Sequence, residues 1–294
     1  MNAFVLSGGA NLGAEQAGML ESLFEAGIIP DLLVGTSIGA ANATYVAADP
    51  TLGRARSLAA LWRGVRPRDV FPINPLRIAK AALRGGALFS SEPLRELLER
   101  EIPFDRIEDA ATPLRIVATA FDDGSEVVFD RGPVVDAVLA STALPAVFPP
   151  HEIAGRLYLD GGLVDHVPLR PAMDAGATTI YVLSVGFPCP PPVNHRSARA
   201  VLVHSVGLLL SQRVRLDGVH LPDQDSGLRI IQLPPVCSEV GLRDFSHSAE
   251  LIDRARDQTS AFLAGLPRAS CEHQATGDLA THIVGVGRPS PSAT

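Results

Sequence analysis

Three short segments carry residue types suited to nucleophilic chemistry. Gly35-Thr36-Ser37-Ile38-Gly39 sets a serine between glycines, directly after the apolar run Leu32-Leu33-Val34 and before the alanine-rich stretch 38–48. A serine on a strand-to-helix turn projects its hydroxyl from the strand's C-terminal end, and the glycines let strand and helix approach closely. The positive end of the helix dipole then lies near a developing oxyanion. Alone, the pentapeptide also fits a tight turn whose serine only caps the helix. Gly8-Gly9-Ala10-Asn11-Leu12-Gly13 follows the apolar run Phe4-Val5-Leu6. Its successive backbone N–H groups can face an anion. The spacing matches neither a dinucleotide fingerprint nor a phosphate loop, which leaves an oxyanion hole or a plain tight turn. Asp160-Gly161-Gly162 closes a third strand-like run, Arg156-Leu157-Tyr158-Leu159, and places a carboxylate at a strand end beside bare backbone. Such triplets also occur as ordinary turns. Together, nucleophile, oxyanion donors and base fall at strand C-terminal ends, where sites collect in open α/β sheets.

The elements that would position these groups alternate short apolar runs with helical patterns, as in an α/β fold. Strands are expected at 4–7, 32–34, 114–120, 127–129, 156–159, 180–185 and 228–233, and helices at 14–26, 38–48, 91–100, 134–140, 201–216 and 248–263. The helix at 91 opens on Ser91-Glu92-Pro93, a serine cap with proline in the first turn. The last helix carries Leu251, Ile252, Ala255, Thr259 and Phe262 on one face. The expected architecture is a three-layer α/β/α domain with a central, largely parallel sheet. It spans residues 1–267 as one catalytic domain, with a variable, lid-like insertion at about 50–110 and a polar, disordered tail at 268–294.

Composition narrows the function classes. Of the 294 residues, 46% are hydrophobic and 19% charged, as in a globular chain rather than a disordered one. The net charge of −7 argues against nucleic-acid binding, which requires a basic face. Lys80 is the sole lysine. Cys189, Cys237 and Cys271 lack metal-site or disulfide spacing, so neither a zinc site nor a disulfide framework is expected. No run reaches the roughly 18–20 apolar residues of a membrane span. The expected setting is cytoplasmic, with room for peripheral membrane contact and no call for a metal or other cofactor.

The order of the glycine-rich first loop, Gly35-Thr36-Ser37-Ile38-Gly39 and Asp160-Gly161-Gly162 resembles that of the patatin-like phospholipase family, in its bacterial form. Two further stretches share the likeness: the eleven residues from Ala140-Ser141-Thr142 through Pro149-Pro150, and Val164-Asp165-His166-Val167-Pro168. The similarity runs from about Phe4 to Val185. It implies a serine esterase or lipid acyl hydrolase acting on lipid or phospholipid esters, with Ser37 as nucleophile, Asp160 as general base, and the amides around Gly8, Gly9 and Ala10 as oxyanion hole. An aspartate at its ordinary pKa near 3.9 is a weak base for an alcohol, so a short Ser–Asp hydrogen bond is required. Three positions depart from the family pattern: Ala10 replaces a third glycine, Leu12 a basic residue, and His166 a frequent asparagine. These departures keep open a catalytically weak lipid-binding or regulatory protein of the same fold. Acyl transfer through the same acyl-enzyme is a further alternative. Headgroup, acyl length and oligomeric state are left open by the motifs.

Other residues carry weaker signals. His204, His220 and His247 follow the serine, as a histidine-containing triad would require, but read as surface or helix residues. A short helix at 76–84 would gather Arg77, Lys80 and Arg84 on one side, suiting either a bilayer-facing lid or a lid with a solvated basic face. Asp122-Asp123-Gly124 reads as a hairpin turn without a metal, and Pro188-Cys189-Pro190-Pro191-Pro192 as a stiff loop.

Overall fold

Alternate residues of the first strand enter two different cores. In β1 (Asn2–Leu6), Phe4 and Leu6 join one apolar cluster while Ala3 and Val5 join another. That is the period of two that a pleated strand imposes. A strand buried on both faces has no polar side to present, hence its unbroken apolar sequence. The computed structural model describes residues 1–71, 74, 76, 87–185, 227–236, 240 and 244–266. The expected helix at 201–216, the basic stretch at 77–84, His204, His220, the three cysteines and the tail lie outside them.

β1 is flanked in parallel by β2 (Leu32–Thr36) and β7 (Thr179–Leu183), and these in turn by β3 (Leu114–Ala120) and β8 (Arg229–Gln232), also parallel. Three antiparallel strands complete the eight-stranded sheet: β4 (Glu126–Phe129), β5 (His151–Ile153) and β6 (Arg156–Asp160). The sequence did not announce β5, a three-residue strand turned back by Ala154-Gly155, both at positive φ. That geometry suits a tight hairpin.

Helices cover both faces, giving the expected three layers. On the Phe4/Leu6 side lie α1 (Gly13–Glu25), α2 (Ile38–Ala47), α3 (Leu52–Gly64) and, after a short turn α4 (Pro67–Val70), α5 (Glu92–Glu101). α6 (Val134–Ser141) packs on β3, β5 and β6, and α7 (Leu169–Asp174) covers the Ala3/Val5 face. α8 (Ser248–Gly265) buries Leu251, Ile252, Ala255 and Thr259 against α1. The two helices meet closely at Gly18, where an added Cβ would stand 2.1 Å from the Ile252 carbonyl oxygen. α3, expected within the variable cover, instead packs against α1 and buries Ala55, Leu58, Ala59 and Trp62. Among the described residues no helix is long and apolar enough to cross a membrane.

Candidate active site

Strand register brings Ser37 and Asp160 together. Along Ile116–Thr119, β4 occupies one edge of β3. The other edge is therefore shared by two strands: β2, paired as far as Thr36 with Val117, and β6, paired from Asp160 with Ala118. β2 runs parallel to β3 and β6 antiparallel, so their C-terminal ends meet head-on at adjacent residues of β3. Gly161 makes the junction possible, since a Cβ there would lie 2.2 Å from the Val117 carbonyl oxygen.

At that junction the Ser37 hydroxyl donates to Asp160 Oδ2 at 2.6 Å, while Asp160 Oδ1 accepts the Gly162 N–H at 2.8 Å. Ser37 stands at φ 54 and ψ −124, a strained conformation for a non-glycine residue that costs about 1–3 kcal/mol. The strain is held from outside. The Ser37 N–H donates to Ser141 Oγ at 2.8 Å, and Ser141 Oγ donates to the Val117 carbonyl at 2.5 Å. Thr36 Oγ1 donates to the Asp165 carbonyl and Thr119 Oγ1 to the Asp160 carbonyl, fixing both strand ends. α2 begins at Ile38 and aims its N-terminus at the site. Gly39 lets that helix reach β1, because a Cβ there would stand 2.3 Å from the Leu6 carbonyl oxygen.

Asp160 is almost fully buried, and burial pushes its carboxyl up to about 6 despite the Ser37 and Gly162 hydrogen bonds, which favour the charged form. The carboxyl therefore lies above the ordinary aspartate value. The glycine-rich loop beside it is also refined by the structure. The Gly8 N–H donates to the His166 carbonyl at 3.1 Å, which removes it from the expected donor set. Among the described residues the N–H groups of Gly9 and Ala10 have no acceptor. Ala10 stands at φ 50, so the alanine adopts the left-handed backbone that a glycine would take more easily. His166 is buried beside Gly8, and burial holds its imidazole down at about 4, neutral at pH 7.

Ser37, Asp160 and Ala10 open on a cavity walled by Ile38, Ala41, Leu58, Leu94, Leu98 and Ile102, with few polar groups. Aromatic rings join its surrounding elements: Phe71 lies 5.4 Å from Phe89, 5.6 Å from Phe148 and 6.1 Å from Phe245, centroid to centroid. Trp62 stacks on Phe245 at 6.1 Å. The arrangement can offer a nucleophile, a base and two oxyanion donors to a carbonyl whose chain enters an apolar space.

Other expected residues fall elsewhere. His247 is exposed and bonded to Glu250. Asp122 and Asp123 sit at the β3–β4 turn and pair with Arg156. No group of side chains suited to a metal ion occurs among the described residues. The residue that sequence reasoning missed is Ser141. It lay within one of the quoted motifs, but the distant Ser37 N–H it accepts gives no local signal.

A family model described as patatin-like phospholipase matches residues 4–173. An uncharacterised NTE family protein of Mycobacterium tuberculosis is 29% identical over 183 residues, covering 62% of this chain and 48% of that one. Patatin-like phospholipase domain-containing protein 6 of Homo sapiens is 29% identical over 186 residues, covering 63% of this chain but 13% of its own. The chain thus spans about half the length of the mycobacterial relative and a small part of the human one. Among solved structures, VipD from Legionella pneumophila covers 90% of this chain and 66% of its own at 16% identity, with a TM-score of 0.47. Beyond the matched residues, β7, β8 and α8 continue the same sheet and core.

Proposed function

The chain belongs to the patatin-like phospholipase family, and on that premise we propose that it hydrolyses carboxylic esters of lipids through a Ser37–Asp160 dyad. The observation that carries this reading is the 2.6 Å Ser37–Asp160 hydrogen bond at the mouth of an apolar cavity. In the first half-reaction Ser37 Oγ attacks the ester carbonyl carbon as its proton passes to Asp160 Oδ2. The carbonyl oxygen becomes an oxyanion against the Gly9 and Ala10 N–H groups. Collapse breaks the bond to the alcohol, which leaves with the proton from Asp160, and acyl-Ser37 remains. Asp160 then takes a proton from water, whose oxygen attacks the acyl carbon. Collapse releases the fatty acid and returns the proton to Ser37. The cavity receives the acyl chain, whose apolar surface is removed from water there.

The test is hydrolysis of p-nitrophenyl esters of graded acyl length by wild type, Ser37→Ala, Asp160→Asn and His247→Ala. Both dyad variants should fold and lose activity by about 10⁴-fold or more, while His247→Ala keeps most of it. An inert, folded wild type would overturn the hydrolase reading in favour of lipid binding without catalysis. Ester products formed with an added alcohol would redirect it to acyl transfer.

A further inference from the structure

Each peptide plane of the glycine-rich loop is pinned through its carbonyl. A trans peptide is planar, so one residue's carbonyl and the next residue's N–H point in opposite directions; no cis peptide occurs among the described residues. Across the Ser7–Gly8 plane, Gln16 Nε2 donates to the Ser7 carbonyl at 2.9 Å, and the Gly8 N–H on the far side goes to His166. Across the Gly8–Gly9 plane, Ser7 Oγ donates to the Gly8 carbonyl at 2.9 Å and accepts the Val185 N–H at 3.1 Å. The Gly9 N–H is thereby turned away from the end of β7. Across the Gly9–Ala10 plane, the Leu12 N–H donates to the Gly9 carbonyl at 3.1 Å, leaving the Ala10 N–H on the opposite side.

The side chains doing this pinning are fully buried and themselves anchored. Ser7 and Gln16 have no solvent exposure. Gln16 Nε2 also reaches the Leu183 carbonyl at 3.0 Å, and its Oε1 accepts from Asn42 Nδ2 at 2.9 Å. Asn42 donates as well to the Gly13 carbonyl at the loop's far end and accepts the Trp62 Nε1–H at 3.0 Å. Asn42 and Trp62 both line the cavity. A hydrogen-bonded chain therefore runs from the cavity wall to the Ser7–Gly8 peptide, the hydroxyl of the same Ser7 holds the next peptide, and the Leu12 N–H holds the Gly9–Ala10 peptide.

We propose that Ser7 is a positioning residue for the oxyanion donors, setting the Gly8–Gly9 peptide plane through its hydroxyl, and that Gln16 and Asn42 hold Ser7's own peptide in register. Its catalytic consequence rests on the hydrolase reading above; the positioning itself does not. The loop's shape is fixed from beneath by buried neutral hydrogen bonds. Removing the Ser7 hydroxyl leaves the Gly8 carbonyl and the Val185 N–H without a partner and frees the plane to rotate. An interaction needed only when the oxyanion forms should act on kcat and spare KM.

The experiment compares Ser7→Ala and Ser7→Cys with wild type by ester kinetics and by 15N–1H spectra of glycine-labelled protein, after confirming cooperative melting. In Ser7→Ala, kcat should fall about 10- to 100-fold, as for a donor displaced by a fraction of an ångström. KM should stay within about twofold, since ground-state contacts are spared. The Gly9 resonance should move and lose rigidity in its heteronuclear NOE, while Gly35 and Gly161 hold. Ser7→Cys, which keeps the size but bonds weakly, should lie between and serves if the alanine variant does not fold. A folded variant with unchanged kcat, a loss confined to KM, or an unmoved Gly9 resonance would overturn the proposal. If wild type hydrolyses nothing, the hydrolase reading falls, and the Gly9 resonance alone decides whether Ser7 sets the plane.

Discussion

Asp160 occupies a setting in which burial of its carboxylate costs stability and, on the proposed mechanism, would make it a better base. Burial raises its carboxyl to about 6, with the Ser37 and Gly162 hydrogen bonds pulling the other way. The folded-state value lies above the unfolded one of 3.8, so the proton is held more tightly by the folded protein. The resulting stabilisation is present at pH values below about 4 and is lost as pH rises through about 6. At pH 7 the buried carboxylate costs on the order of 2–3 kcal/mol. Asp160→Asn should therefore be inactive yet melt higher than wild type at pH 7, with the difference closing towards pH 4. Thermal melts across that range check it. His166, held down at about 4, titrates in the opposite sense, but it is common to both proteins and cancels in the difference. In wild type, kcat/KM should rise with pH through about 6 and level above it, because only the carboxylate accepts the serine proton. A flat profile across that region would separate the rate from Asp160.

At the scale of elements, the site exists because β2 and β6 approach head-on along one edge of β3. Neither strand carries that information locally. The terminal glycines were legible as places of close approach, but what approaches them was not. α3 was legible in principle: Ala55, Leu58, Ala59 and Trp62 recur at i, i+3, i+4 and i+7. Its small residues and arginines conceal the stripe, and the segment read as part of a cover. The α1–α8 contact is set by Gly18, whose space is taken by Ile252 backbone rather than by a flexible side chain. Gly18→Ala should force the helices apart and destabilise the protein by about 3 kcal/mol, roughly 5–10 °C in Tm. A urea midpoint equal to wild type would show that α8 can slide without cost.

Across the whole molecule, the apolar space in front of Ser37 is assembled from α2, α3, α4, α5, residues near Phe148, and Phe245 just before α8. Aromatic contacts through Phe71 tie these distant segments together. Hydrolysis should favour medium or long acyl chains over acetate, since each added methylene buried is worth about 0.8 kcal/mol. Ala41 lines the cavity one turn beyond Ile38. Ala41→Phe should lower kcat/KM for a decanoyl ester about tenfold or more while changing that for an acetyl ester little. Equal losses on both esters would place the acyl chain elsewhere.

Local pattern located the strands of the described sheet other than β5 to within one or two residues at each end, gave the alternation of layers, and marked Ser37, Asp160 and the first loop as candidates. Those features are local: apolar runs with bounding glycines report directly on strands, turns and caps. Tertiary structure alone decided that Ser141 holds the Ser37 N–H, that Gly8 is spent on His166 while Gly9 and Ala10 have no acceptor among the described residues, and that Asp160 is buried enough to raise its carboxyl. These depend on hydrogen bonds and desolvation supplied by residues about a hundred or more positions away, which no local pattern encodes.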